Sequence, residues 1–188
     1  MALDAGIIIA STDLEKRGGI KHVYVTELAN IATATASSTL HTYTALTMES
    51  GKTFFWLGHE NETAGMNIAL SKENGSTIVE TSVELYIPAM DAVRHEELSK
   101  ITDVPLMLVC LDYNGKYWAI GLDNIFGSNL ASHQTYAKLM SAEGGSGAAW
   151  SDKSGLTISF SARTGELPRE ITGKTFTPNF TTGVVALS

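Results

Sequence analysis

The chain has 188 residues, 44% of them hydrophobic, one cysteine and a formal net charge of −7. That length suits one domain, or one domain with an extended arm, and the hydrophobic share is enough for a real core. The lone Cys110 excludes an intrachain disulfide framework. No apolar run approaches the roughly 20 residues that span a bilayer, and no basic patch offers the many cations that tight nucleic-acid binding needs.

The first ten residues, MALDAGIIIA, have no basic leading segment and only a short apolar run, so no signal peptide is expected. Residues 13–17 are charged, and Gly18-Gly19 breaks the segment. Residues 20–28 read as a strand, with Ile20, His22, Tyr24, Thr26 and Leu28 on one face and Lys21, Val23, Val25 and Glu27 on the other. Residues 29–48 contain no Asp, Glu, Lys or Arg, and six are threonine. They suit either a strand or hairpin with a Thr/Ala/Ser face, or a segment packed on a neighbouring subunit, where charge depletion is favoured. Residues 53–57 and 66–70 are expected to pair across the polar turn His59-Glu60-Asn61-Glu62.

The centre, residues 77–122, is the most regular part. From 77 to 88, Val79, Thr81, Val83, Leu85 and Ile87 alternate with Ile78, Glu80, Ser82, Glu84 and Tyr86. Period two of this kind marks a strand with one buried and one wet face. Pro88 ends it, because proline brings no amide donor to the ladder. Asp91 is an N-cap for a short helix over about 92–101, with Met90, Val93, Leu98 and Ile101 along one stripe. Residues 104–111 are nearly all apolar and suit a strand buried on both faces. Tyr113-Asn114-Gly115 is a turn, and 116–122 the returning strand, placing Trp118 on one face with Ile120 and Leu122. Residues 141–147 read as a flexible link. From 156 to 162, Leu156, Ile158, Phe160 and Ala162 point inward and Thr157, Ser159 and Ser161 outward. The tail from 175 to 188 is expected to be extended and to dock on the core or on a partner. There is no internal repeat.

Catalytic and metal-binding patterns are nearly absent. The histidines at 22, 41, 59, 95 and 133 have no second ligand at a metal-site spacing, and His59-Glu60 lacks the second histidine of a zinc-protease helix. Glu60/Glu62 and Glu96/Glu97 read as turn and helix surface. Gly144-Gly145-Ser146-Gly147 lacks nucleophile-elbow spacing. There is no Walker-type or dinucleotide loop. Asn61-Glu62-Thr63, Asn74-Gly75-Ser76 and Asn179-Phe180-Thr181 match glycosylation acceptors, as a threonine-rich chain does by chance. Cys110 reads as a small core hydrophobe. The expectation is a protein that is not an enzyme and holds no metal or cofactor.

The run ending in Asp112-Tyr113-Asn114-Gly115-Lys116-Tyr117-Trp118 resembles the tail tube (major tail) proteins of tailed bacteriophages, with the closest likeness to versions from phages of Bacteroidetes-type hosts. Gly18-Gly19 with residues 20–25 resembles their first-strand entry, and the helix at 91–100 sits where they place a single helix between two strands. Residues 155–160, followed by Gly165-Glu166-Leu167-Pro168, resemble their late strand and its exit. The likeness covers roughly residues 18–28 and 77–170; residues 29–76 match no motif of the family.

The resemblance implies a mainly β fold, an antiparallel β-barrel or sandwich with one short flanking helix. It forms a single domain over 1–188, with an N-terminal arm at about 1–17, the uncharged loop or hairpin at about 29–48 and an extended C-terminal segment at about 170–188. It implies a virion structural protein, made in the host cytoplasm, whose rings (usually hexamers) stack into a hollow tail tube that conducts DNA without sticking to it. Partners would be other copies of itself and other tail and neck proteins, with no membrane. Glu80, Ser82, Glu84, Thr157, Ser159 and Ser161 are the candidates to face the lumen, and Thr39, His41 and Tyr43 the candidates for ring-to-ring contact. Two other readings stay open. One is a different virion part, such as a tail terminator, connector or capsid decoration protein. The other is a β-sandwich carbohydrate-binding module using Trp56, Trp118 and Trp150, which exposed tryptophans would favour and burial of all three would disfavour.

Overall fold

The computed structural model describes residues 17–89, 91–124, 135–146 and 153–188. The N-terminal arm therefore lies outside the described residues except for Arg17, as do Met90, Gly147 and Trp150.

In chain order the strands are β1 (Ile20–Glu27), β2 (Ile31–Ala36), β3 (Thr42–Met48), β4 (Phe54–Leu57), β5 (Gly65–Glu73) and β6 (Ser76–Pro88). The helix α1 (Ala92–Lys100) follows. Then come β7 (Leu106–Asp112), β8 (Tyr117–Ile120), β9 (Ala137–Gly145), β10 (Gly155–Thr164), β11 (Arg169–Ile171), β12 (Phe176–Pro178) and β13 (Val184–Leu187). They form one mixed sheet of 13 strands, with a main path β12-β13-β4-β1-β7-β8-β11-β3-β2. A branch leaves β7 through the Leu106–Ala137 pair and continues β9-β10-β6-β5. Among the described pairs only β11–β3 is parallel.

The sheet folds over itself into layers. The inner face of β6 and β10 (Val83, Leu85, Ile87, Leu156, Ile158, Phe160) packs on Val23, Val25, Leu106, Leu108, Cys110 and Ile120. The opposite face of the central strands carries Tyr24, Met107, Val109 and Ala119 into a second core. The β2–β3 hairpin, Ile171 and the C-terminal β12–β13 hairpin close that core. Burial pushes the Cys110 thiol up to about 12, in keeping with a packing role. No helix of the described residues is long and apolar enough to cross a membrane.

Local chemistry explains most boundaries. Asp91 accepts the Arg94 N–H at 2.8 Å and starts α1. Asp112 Oδ1 accepts the N–H groups of Asn114 and Lys116 at 2.8 and 2.9 Å, and Gly115 supplies the positive φ of that turn. Residues 29–48 form the β2–β3 hairpin, and the tail docks on the core through β13 and β4.

Five expectations are corrected. β4 does not pair with β5; it lies between β1 and β13, and β5 pairs with β6. Asn74 and Gly75, both at positive φ, make a two-residue turn that joins β5 to β6 more directly than the polar loop at 59–62 could. Residues 141–145 are strand rather than linker. Gly144 is needed there because a Cβ would collide with the Gly155 carbonyl of β10. A register shift between Ile20 and His22 moves Ile20 to the face of Val23 and Val25. Gly121, at φ +86, turns the chain so that Leu122 joins the second core while Trp118 and Ile120 stay at the first. On α1, Leu98 is buried in the first core and Ile101 packs against it, but Val93 is 72% exposed, so only the C-terminal half of the stripe is seated.

Candidate assembly surface

Antiparallel pairing of β6 with β10 brings all six residues expected at a lumen onto one face. The register sets Ser82 opposite Ser161, Glu84 opposite Ser159, Glu80 opposite Arg163 and Tyr86 opposite Thr157. Because strand side chains alternate, the buried faces of both strands commit these residues to the other side. Glu80 and Glu84 are exposed, and the four hydroxyl residues are half-buried among their neighbours.

The two flanking strands widen the patch. β5 places Gly65, Asn67 and Ala69 opposite Glu84, Ser82 and Glu80. β9 places Glu143, Ser141 and Lys138 opposite Thr157, Ser159 and Ser161. The result is a four-stranded polar face of small side chains. Its carboxylates are Glu80, Glu84 and Glu143, and its cations Lys138 and Arg163. Ser161 Oγ donates to Glu80 Oε1 at 3.3 Å, Arg163 Nε lies 4.0 Å from Glu80 Oε2, and Lys138 Nζ sits 4.8 Å over the Tyr136 ring. Both cations are thus engaged by neighbours on the sheet. The sequence reading missed Lys138, Glu143 and Arg163, although Arg163 continues the outward period of Thr157, Ser159 and Ser161 by one more step.

The second candidate surface is the tip of the β2–β3 hairpin. Ser37 Oγ accepts the N–H groups of Thr39 and Leu40, both at 3.2 Å, which shapes the tip. Thr39 and His41 are exposed, as a contact surface requires. The His41 ring nitrogen lies 2.7 Å from the Leu167 carbonyl and joins the tip to the segment after β10. Tyr43 does not belong with them. It is 1% exposed in the second core, with its hydroxyl unpartnered, and burial raises its ionisation well above the ordinary tyrosine range. The uncharged character of 29–48 concealed that this residue turns inward at the start of β3.

Beneath the tip, Glu166 Oε1 accepts from Asn124 N–H at 2.7 Å and Arg169 Nε at 2.8 Å, and its Oε2 accepts from Arg169 Nη2 at 2.6 Å. Burial alone would raise this carboxyl, but Arg169 and the Asn124 N–H hold it below the usual range.

Trp118 is half-buried with its Nε1 donating to Asp112 Oδ2 at 3.2 Å, and Trp56 is half-buried edge-on to Phe180 at 4.9 Å. Both rings are thus partly covered by the chain. Among the described residues no group of three His, Cys, Asp or Glu side chains could hold a metal ion. Compared with known proteins, the chain matches no family model, no curated protein and no solved structure.

Proposed function

We propose that this chain is the ring-forming subunit of a phage tail tube, with the β5-β6-β10-β9 face turned to the lumen. The observation that carries the reading is a four-stranded sheet with one largely polar face and, among the described residues, two edges without a partner strand. Among the described residues, β5 pairs only with β6, and β9 beyond Ala137 pairs only with β10. Proteins that stay monomeric usually blunt such edges. Here both edges carry uncovered apolar groups: Ile68 and Leu70 on β5 are 40% and 57% exposed, and Met140 on β9 is 64% exposed.

Strand direction alternates across the sheet, so β5 and β9 run in opposite senses. Rotation about an axis near the strand direction then sets β9 of one copy against β5 of the next as an antiparallel pair. The same join repeats at each copy until the ring closes. Six copies, the number the resemblance implies, would give a wall of 24 strands. At about 4.8 Å spacing and about 40° tilt, its backbone diameter is roughly 48 Å. Inward side chains then leave roughly 35 Å, room for a duplex about 20 Å wide. Small hydroxyls, three carboxylates and two engaged cations suit a wall that phosphates should not grip.

Negative-stain electron microscopy of the purified protein at low and high concentration tests this. Rings that stack into open hollow tubes are expected. Discrete rings that never stack would point to a terminator or connector instead. The variant I68K/L70K should leave a folded monomer, since both side chains are exposed, and should abolish rings. Rings that persist in it would remove β5 from the seam.

A further inference from the structure

A row of ring contacts ties the C-terminal hairpin to the central sheet along the edge of the second core. Phe180, in the turn between β12 and β13, meets Trp56 of β4 edge-on at 4.9 Å and His22 of β1 at 5.8 Å. His22 lies 6.3 Å from Trp56 and 6.2 Å from Tyr24. Tyr24 stacks on Phe176 of β12 at 5.4 Å, and Phe176 touches Phe54 at 5.2 Å and Tyr117 at 5.0 Å. The turn at 179–183 has one backbone tie to the sheet close by, the Gly183 carbonyl accepting from Trp56 N–H at 2.8 Å.

His22 is the ring of this row that gains a proton near neutral pH. Its Nδ1 is buried with no hydrogen-bond partner among the described residues. A neutral imidazole tolerates that, because one of its two nitrogens then carries no proton and needs no acceptor. An imidazolium does not, because its added N–H would be buried with nothing to receive it.

The charged surroundings offer no relief. On β1 the neighbours are Lys21 and Tyr24, and beyond β4 lies His59. On β8, Tyr117 acts on Tyr24. On β7, His22 pairs with Leu111. The carboxylate next along that strand, Asp112, already accepts from Asn114 N–H, Lys116 N–H and Trp118 Nε1. The turn at 179–183 contains no charged residue. Burial, with Lys21 and His59 adding like charge, holds His22 below the ordinary histidine range.

We propose that the neutral His22 ring latches the turn at 179–183 onto β1 and β4, and that protonation of His22 releases this turn from the sheet. The device belongs to the single chain and does not depend on the tube reading. Its sign follows from linkage. The latched form binds fewer protons than the released form. The latch is therefore at full strength above about pH 6.5, the unfolded histidine value. It weakens as pH falls towards the lower value of the latched ring, and levels off below that.

Amide hydrogen exchange read by mass spectrometry at about pH 7.5 and about pH 5, corrected for the intrinsic effect of pH, tests this. Protection of the Trp56 amide and of residues 179–185 should fall at least about threefold at the lower pH, while β6 and β10 keep theirs. H22F keeps a ring in place and cannot be charged, so it should show no such fall. H59Q should still show it. Unchanged wild-type protection, an equal fall in H22F, or loss of the effect in H59Q would each overturn the proposal. A further measurement needs no variant. Exchange of the His22 Cε1 hydrogen in the wild-type protein should titrate below about pH 6.5, together with the loss of protection. A midpoint at or above that value would show that the ring is not held neutral by its cage, and would overturn the proposal too.

Discussion

β7 and β6 are neighbouring strands in sequence with opposite destinies. β7 is apolar on both faces: Leu106, Leu108 and Cys110 enter one core while Met107 and Val109 enter the other. β6 is apolar on one face only, and its Glu80, Ser82 and Glu84 stay wet although β5 and β10 flank all three. Burial of each large apolar side chain contributes about 1.5–3 kcal/mol, so β7 is a strand that holds the molecule together. β6 anchors with half its residues and leaves the other half for something else. A sheet buried on both faces can vary little without loss of fold, whereas a sheet buried on one face carries a surface whose chemistry can be set by function.

The sharpest way to break this division is at its seam. Gly121 follows β8 at φ +86, and a Cβ there would lie 2.5 Å from Ala137 N and 2.9 Å from the Leu106 carbonyl. Those two residues form the single pair that joins β7 to β9. G121A therefore adds backbone strain and a backbone collision at the same point, and a loss of about 3–5 kcal/mol is expected. Urea denaturation measures it. A loss below about 1 kcal/mol would mean that the two halves can shift against each other freely, and the central sheet would not be the rigid frame described above.

The wet face should respond in the opposite way. E80K/E84K removes only exposed contacts, so stability should move by less than about 1 kcal/mol. Function should move much more. Assembled tubes of the variant should bind duplex DNA, with affinity falling steeply as salt rises, while wild-type tubes should not. A duplex capped at both ends by a bulky protein cannot thread a tube, and should not bind. Equal binding of capped and open duplex would place these residues on the outside.

Periodicity in the sequence carried the parts of this fold governed by neighbours in the chain. The alternation at 77–88 and 156–162, the Asp91 cap and the Tyr113-Asn114-Gly115 turn each depend on a few adjacent residues, and all are present. The six polar residues were assigned to faces correctly one strand at a time. That β6 and β10 are partners, with Ser82 facing Ser161, is a contact between residues 79 apart in the chain, which no local pattern encodes. Glycine misled in one place for a physical reason. In 141–147 it signals flexibility in sequence, but Gly144 serves a close backbone approach. Tyr43 misled because a hydroxyl-rich strand reads as exposed on both faces, when an irregularity between Tyr43 and Ala45 lets Tyr43 and Leu46, three residues apart, both fill the second core.

The smallest expected effect lies where the two halves are tied a second time. Glu166 follows β10, yet its carboxylate binds the Asn124 N–H beyond β8 and the Arg169 guanidinium of β11. Its folded-state ionisation is held below the ordinary value, with Arg169, Asn124 and His41 overcoming the effect of burial. A carboxyl lowered in this way adds stability that is fully present above the unfolded value, about 4.3, and is lost as pH falls through the folded value. E166Q keeps the shape and removes the charge, so at neutral pH it should be less stable by about 2 kcal/mol, the scale of hydrogen bonds to a charged group. The gap between wild type and E166Q should stay level from pH 8 to about 5 and narrow below about pH 4. A gap that stays constant down to pH 3 would show that the charge of Glu166 is not what ties the wet sheet to the central one, and would leave that tie to the Gly121 seam and the shared core.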